Sequence, residues 1–149
     1  MLPKYHILFG FFLSLILFIF CEKINLLAAT IIFLSSFLID IDHYLFRAWK
    51  LKQRNIFKAY FSNLYSKKNY NFLNKAQKKK VKLGFYIFHG FEVLIILFLL
   101  GFFIHEVFYF ILIGAVFHLI FDYLEMFVLG GKIHKISAIF DYFHYDNKP

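Results

Sequence analysis

The sequence predicts an all-α integral membrane protein, a bundle of about four membrane-embedded helices arranged in two hairpins. First, 61% of the 149 residues are hydrophobic and 24 are Phe, which is more apolar surface than the few polar residues could cover in water. Second, four apolar runs occur in two pairs, and only a two-residue polar break separates the members of each pair. Third, the ionisable residues within these runs lie toward one end of the predicted bundle. The single cysteine excludes an intramolecular disulfide.

The first hairpin is predicted from the runs Tyr5–Cys21 and Ile24–Ile41, which are separated by Glu22 and Lys23. At ~1.5 Å per residue these runs span about 25–27 Å, slightly less than a ~30 Å hydrocarbon core but enough for a thin membrane. An N-terminal apolar run that follows a lysine also resembles a signal peptide. No small-residue cleavage site follows at the expected place, so we expect the first span to be retained.

A strongly basic segment, residues 44–82, separates the two hairpins. It contains 12 Lys and Arg residues and no Asp or Glu, and its apolar residues recur at roughly helical spacing. This pattern predicts one or two amphipathic helices on the membrane surface, with anionic lipid headgroups as partners. The interleaved aromatic residues are also compatible with nucleic-acid binding. We do not expect that partner, because basic residues beside cytoplasmic spans are common.

The second hairpin is predicted from the runs Leu83–Ile104 and Val107–Leu129, and a polar tail at 130–149 follows it. The chain is therefore expected to form one membrane-embedded domain, 1–149, with hairpins at 5–41 and 83–129. With four spans, 16 of the 17 basic residues fall on the side of the N-terminus and only Lys23 falls on the other. The four runs predict a multi-pass cell-membrane protein. The positive-inside rule then places both of its termini in the cytoplasm.

Eight metal-capable residues fall near the predicted cytoplasmic ends of the four runs. Several are three or four positions apart and so share a helix face. Imidazole and carboxylate groups together suit zinc or another divalent ion such as manganese, and eight groups suffice for two or three ions. A carboxylate within a span also needs a compensating cation, and the last two apolar runs contain no Lys or Arg. The predicted ligands are His6, Asp40, Asp42, His43, His89, Glu92, His118 and Asp122.

Hydrogen bonding between helices is the alternative explanation for these polar residues, and for His105, at the opposite end of the predicted bundle, it is the preferred one. His134 and His144 are expected to lie in the solvated tail. For the set of eight we favour metal binding, because hydrogen bonds alone leave its four carboxylates without a counter-charge.

The order of these residues resembles a known family. An early His6, the motif Asp40-Ile41-Asp42-His43, the element His89-Gly90 and a late His118-x-x-x-Asp122 are similar to the YdjM-type membrane-bound metal-dependent hydrolases, which are grouped with zinc-dependent phospholipase C and P1 nuclease. The resemblance spans nearly the whole chain and implies an all-helical fold with a phosphoester hydrolase site. The chain departs from the family pattern in carrying Ile39 where a proline is usual.

Three functions follow as expectations. The first is a membrane-bound, metal-dependent hydrolase that acts on phosphoesters of lipid-like substrates, with either Glu92 or Asp122 serving as general base. The second is a non-catalytic protein that binds or transports metal. The third is a membrane-anchored module whose basic segment recruits nucleic acid or anionic lipid, which leaves the acidic residues unexplained. The oligomeric state is not predicted.

Overall fold

The residues that the structure, a computed structural model, describes are 3–50, 52, 72, 87–129, 137 and 139, and they form helices joined by short turns, with no strand among them. The all-α prediction is therefore confirmed for these residues. Most of the predicted basic segment and polar tail lie outside them. The described helices are α1 (Pro3–Phe20), α2 (Leu26–Leu38), α3 (Ile41–Lys50), α4 (Phe91–Phe103) and α5 (Val107–Leu129), with a 3-10 turn at Ile87–His89 before α4.

The second apolar run ends earlier than the hydropathy pattern predicts. Helix α2 stops at Leu38, residues 39 and 40 form a break, and α3 starts at Ile41. Aspartate is unfavourable inside a helix and favourable just before one, because its carboxylate suits the free amides and positive dipole end of a helix N-terminus. Asp40 stands immediately before α3 and Asp42 lies in its first turn, so the chain starts a new helix here instead of extending α2.

The turn between α1 and α2 is set by short-range hydrogen bonds. The amide of Ile24 donates to the carbonyl of Cys21 at 2.9 Å, which closes the turn. Asn25 caps α2, because its side-chain oxygen accepts from the amide of Ala28 at 2.9 Å. Asparagine is among the preferred residues at this position, where it satisfies one of the free amides of the first turn.

The described residues belong to two compact units. The first takes its residues from Met1–Ile39 and Glu92–Asp122, and the second from Asp40–Phe91 and Tyr123–Pro149. In the first unit, α1 packs against α2. The core between them is small and centres on Ile32, with Ile24, Ala28 and Ala29 beside it. In the second unit, α3 is linked to the 3-10 turn through a hydrogen bond from the amide of Phe88 to Asp42.

Glycines permit close helix packing in the first unit. A Cβ on Gly10 would overlap the side chain of Ser36 on α2. A Cβ on Gly114 of α5 would lie 2.5 Å from the carbonyl oxygen of Ile32, also on α2. Membrane helices often pack in this way, because small residues at the interface let two helix backbones approach each other closely.

The distribution of polarity in the described residues is the reverse of that in a water-soluble protein. Buried polar and charged residues outnumber buried apolar ones, while large apolar side chains such as Phe20 and Phe127 are 81% and 82% exposed. Two stretches, Leu26–His43 and Val107–Glu125, are long and apolar enough to cross a membrane. The remaining apolar helices, α1 and α4, are shorter.

Candidate metal centres

The first cluster of metal-capable groups lies in the first unit and consists of His6, His118 and Asp122, here called the His6 cluster. His6 is in the second turn of α1, and the other two residues are one turn apart on α5. All three side chains are buried, His118 completely. The Nε2 of His6 lies 3.3 Å from Oδ1 of Asp122, and the Nε2 of His118 lies 3.7 Å from Oδ2 of the same carboxylate. One ligand atom from each residue falls within 4.8 Å of the others.

A backbone carbonyl sets the orientation of His118. Its Nδ1 lies 2.8 Å from the carbonyl oxygen of Ser36, which can only accept, so Nδ1 carries the proton and donates. The lone pair of the neutral imidazole is then on Nε2, the nitrogen that faces Asp122. Metal-binding histidines are usually held in this way, because a hydrogen bond at one nitrogen fixes the other as the ligand.

The early end of α2 explains why this carbonyl is available. The last four carbonyls of a helix have no amide partner within the helix, and Ser36 falls among them because α2 ends at Leu38. Its carbonyl accepts from His118 on α5 instead. The break that starts α3 therefore also supplies the support for His118.

The second cluster lies in the second unit and consists of Asp40, His43 and His89, here called the Asp40 cluster. Asp40 and His43 flank the start of α3, and His89 ends the 3-10 turn. All three are buried, His89 completely. The Nε2 atoms of both histidines face Oδ1 of Asp40, at 3.3 Å for His43 and 3.7 Å for His89. Ligand atoms of these residues also lie within 4.8 Å of one another.

These nitrogen–oxygen separations can be compared with the geometry of a metal ion. Two donors that each bind a tetrahedral zinc ion at ~2.0–2.1 Å lie ~3.3–3.4 Å apart. The pairs of His6 with Asp122 and of His43 with Asp40 both have this separation, and the other two pairs are only slightly wider. A direct hydrogen bond would be shorter, with a most common length of ~2.9–3.0 Å. Both clusters therefore have the residue types and spacing to hold a divalent ion.

Two buried polar atoms near these clusters lack a hydrogen-bond partner within the described part of the chain: Nε2 of His6 and Oδ1 of Asp42. The 3.3 Å approach of His6 to Asp122 lacks hydrogen-bond geometry. A buried polar atom without a partner costs ~1–3 kcal/mol, and such atoms call for an explanation. A metal ion between His6 and Asp122 would explain the unpartnered nitrogen of His6. The lone pairs of the imidazole and of the carboxylate would then both point at the metal and not at each other.

The other residues singled out in the sequence occupy different environments. Asp42 accepts hydrogen bonds from Nδ1 of His89 and from the amide of Phe88, and it contributes no oxygen to either cluster. Glu92 is half-buried in the first turn of α4. His105 lies at the turn before α5, where its Nδ1 accepts from the amide of Val107 at 3.1 Å. His134 and His144 lie outside the described residues.

Comparison with protein-family models, with curated proteins and with solved structures finds no match for this chain. The resemblance to membrane-bound metal-dependent hydrolases stays a prediction. The geometry of the two clusters is what supports a function.

Proposed function

We propose that this chain is a membrane-embedded, metal-dependent hydrolase that cleaves phosphoesters of lipid-like substrates. The single observation that carries the proposal is the pair of buried clusters, each with two histidines and one aspartate at separations that suit ligands of a shared ion. Two histidines and a carboxylate leave at least one coordination position open, as in catalytic zinc sites.

Membrane embedding is supported by the polarity of the described residues. Exposed apolar side chains run along α1, α4 and α5, and lipid is the solvent in which such a surface is stable. Buried histidines and aspartates inside a membrane protein are costly unless they are paired or bind ions, so they mark functional sites. The proposed orientation has both termini and the basic segment 44–82 in the cytoplasm, where that segment holds anionic headgroups.

The chemistry divides between the ion and the side chains. A bound divalent ion such as zinc or manganese would lower the pKa of a bound water to about 7 and offset charge on the phosphoryl oxygens. His6, His118 and Asp122 would hold one ion, and Asp40, His43 and His89 would hold a second. Because Asp122 lies within the His6 cluster, its role is that of a ligand, which leaves Glu92 as the proposed general base.

The test of this function uses purified full-length chain in detergent with a panel of phospholipids and isoprenoid phosphates. We expect hydrolysis of a phosphoester, measured as released phosphate from monoesters or as a released phosphorylated or alcohol headgroup from diesters, that chelation abolishes and zinc or manganese restores. Asp122→Asn should lower kcat by at least ~100-fold, because it removes an anionic ligand at unchanged size. His105→Ala, a histidine outside both clusters, is the matched control and should retain full activity. Equal turnover by wild type and Asp122→Asn would show that a contaminant is responsible.

A non-catalytic metal-binding role is the second candidate, and the burial of both clusters favours it. His89 and His118 are both 0% exposed, and closed sites are typical of structural ions. Stoichiometric metal without turnover of any substrate in the panel would support this role over hydrolysis.

A further inference from the structure

We infer that Asp42 is a positioning residue for metal binding, which fixes the tautomer and direction of His89 without itself being a ligand. This inference rests on the proposed metal site at the Asp40 cluster. It assigns to Asp42 a different role from the one that the Asp-x-Asp-His spacing suggests, since that spacing alone treats both aspartates as ligands.

The two nitrogens of His89 face two different carboxylates. Nδ1 lies 3.1 Å from Oδ2 of Asp42, which is hydrogen-bond distance, while Nε2 lies 3.7 Å from Oδ1 of Asp40, which is not. An ionised carboxylate has no proton to donate, and Oδ2 of Asp42 also accepts from the amide of Phe88, so the proton of the neutral imidazole is on Nδ1. The lone pair of Nε2 is thereby directed toward Asp40 and His43, the other two residues of the cluster.

The same oxygen of Asp42 also holds the backbone that carries His89. The amide of Phe88 donates to Oδ2 at 3.0 Å, so one carboxylate fixes both the ring and the 3-10 turn. Asp42 reaches this position because it lies in the first turn of α3, two residues after the ligand Asp40. A carboxylate behind a ligating histidine raises the basicity of the imidazole and restricts its rotation.

These contacts indicate that Asp42 is not one of the metal ligands. Both hydrogen bonds occupy Oδ2, and neither oxygen of Asp42 belongs to the group of ligand atoms within 4.8 Å that Asp40, His43 and His89 form. Removal of Asp42 should therefore weaken the binding of an ion without removing any of the ion's protein ligands. Removal of Asp40, by contrast, takes away the oxygen that both histidines face.

The experiment measures Co²⁺ binding to the full-length chain in detergent, by equilibrium titration and visible absorption, in a His6→Ala background that disables the other cluster. We expect Asp42→Ala to weaken Co²⁺ affinity by ~10–100-fold while the bound stoichiometry and the d–d spectrum at saturation stay unchanged. Asp42→Asn keeps an acceptor oxygen and should recover most of the affinity. Asp40→Ala, the matched control, should lose the ion or alter the spectrum.

Three outcomes would overturn the inference. A changed spectrum or lost stoichiometry in Asp42→Ala, equal to that of Asp40→Ala, would make Asp42 a ligand. Unchanged affinity together with a lower unfolding temperature of the metal-free protein would make its role merely structural. If the background protein and the wild type both bind no Co²⁺, the proposed function fails together with this inference, whereas the first two outcomes leave metal binding intact.

Discussion

The metal content of purified variants should distinguish the ligand residues of the His6 cluster from a histidine that lies outside it. We expect His118→Ala and Asp122→Ala each to bind about one ion fewer per chain than wild type, because each removes one of three protein ligands. His105→Ala should keep the wild-type content, since His105 lies at an exposed turn and belongs to neither cluster of the described residues. Elemental analysis of the purified proteins after dialysis measures this. Equal metal content in all three variants would refute the assignment of the cluster.

For individual residues, the sequence predicts which side chains lie close together better than it predicts which backbone groups they hydrogen-bond to. His118 and Asp122 are four residues apart on one helix, so their proximity follows from helix geometry. The Ser36 carbonyl that orients His118 has no signature in side-chain chemistry. It becomes available only because α2 ends at Leu38, and the two aspartates that follow were the one signal that could have located that end.

At the scale of the helices, Gly114 should be the position most sensitive to a small increase in volume. We expect Gly114→Ala to lower the free energy of unfolding by ~1–3 kcal/mol, because its Cβ would meet backbone atoms of α2 that cannot rotate away. Gly101→Ala is the matched control: its Cβ would meet the ring of Tyr109, which can move. Thermal unfolding in detergent compares them. A Gly114→Ala protein at least as stable as Gly101→Ala would contradict this packing.

Helix boundaries were predictable where polarity changes abruptly and not where apolar residues continue through a break. Helix α5 has the predicted bounds, Val107–Leu129, because His105 and Glu106 interrupt two long apolar runs. The second run continues through Ile39 and Ile41, so its hydropathy hides the break at Asp40. Local hydrogen-bonding preference of the aspartates outweighs hydrophobicity there.

For the molecule as a whole, metal should stabilise the fold, because the His6 cluster joins the start of α1 to α5. A ligand present at ~100 times its dissociation constant stabilises the native state by about 2.7 kcal/mol. We therefore expect a strong chelator to lower the unfolding temperature of the wild type in detergent and zinc to restore it. His118→Ala should respond less to both treatments. An identical response of the variant would mean that the stabilising ion binds elsewhere.

Orientation in the membrane can be tested with single cysteines in a Cys21→Ser background. The basic residues are divided 16 to 1 between the two predicted sides, and positive charge is retained on the cytoplasmic side. In intact cells, a membrane-impermeant maleimide should label Lys23→Cys, at the turn between α1 and α2. Ser66→Cys in the basic segment and Lys148→Cys near the C-terminus should be labelled only after permeabilisation. Ready labelling of Ser66→Cys in intact cells would show that the protein has the opposite orientation to the predicted one. Metal and substrate would then reach the protein from outside the cell, because the lysine-rich side would face the external medium.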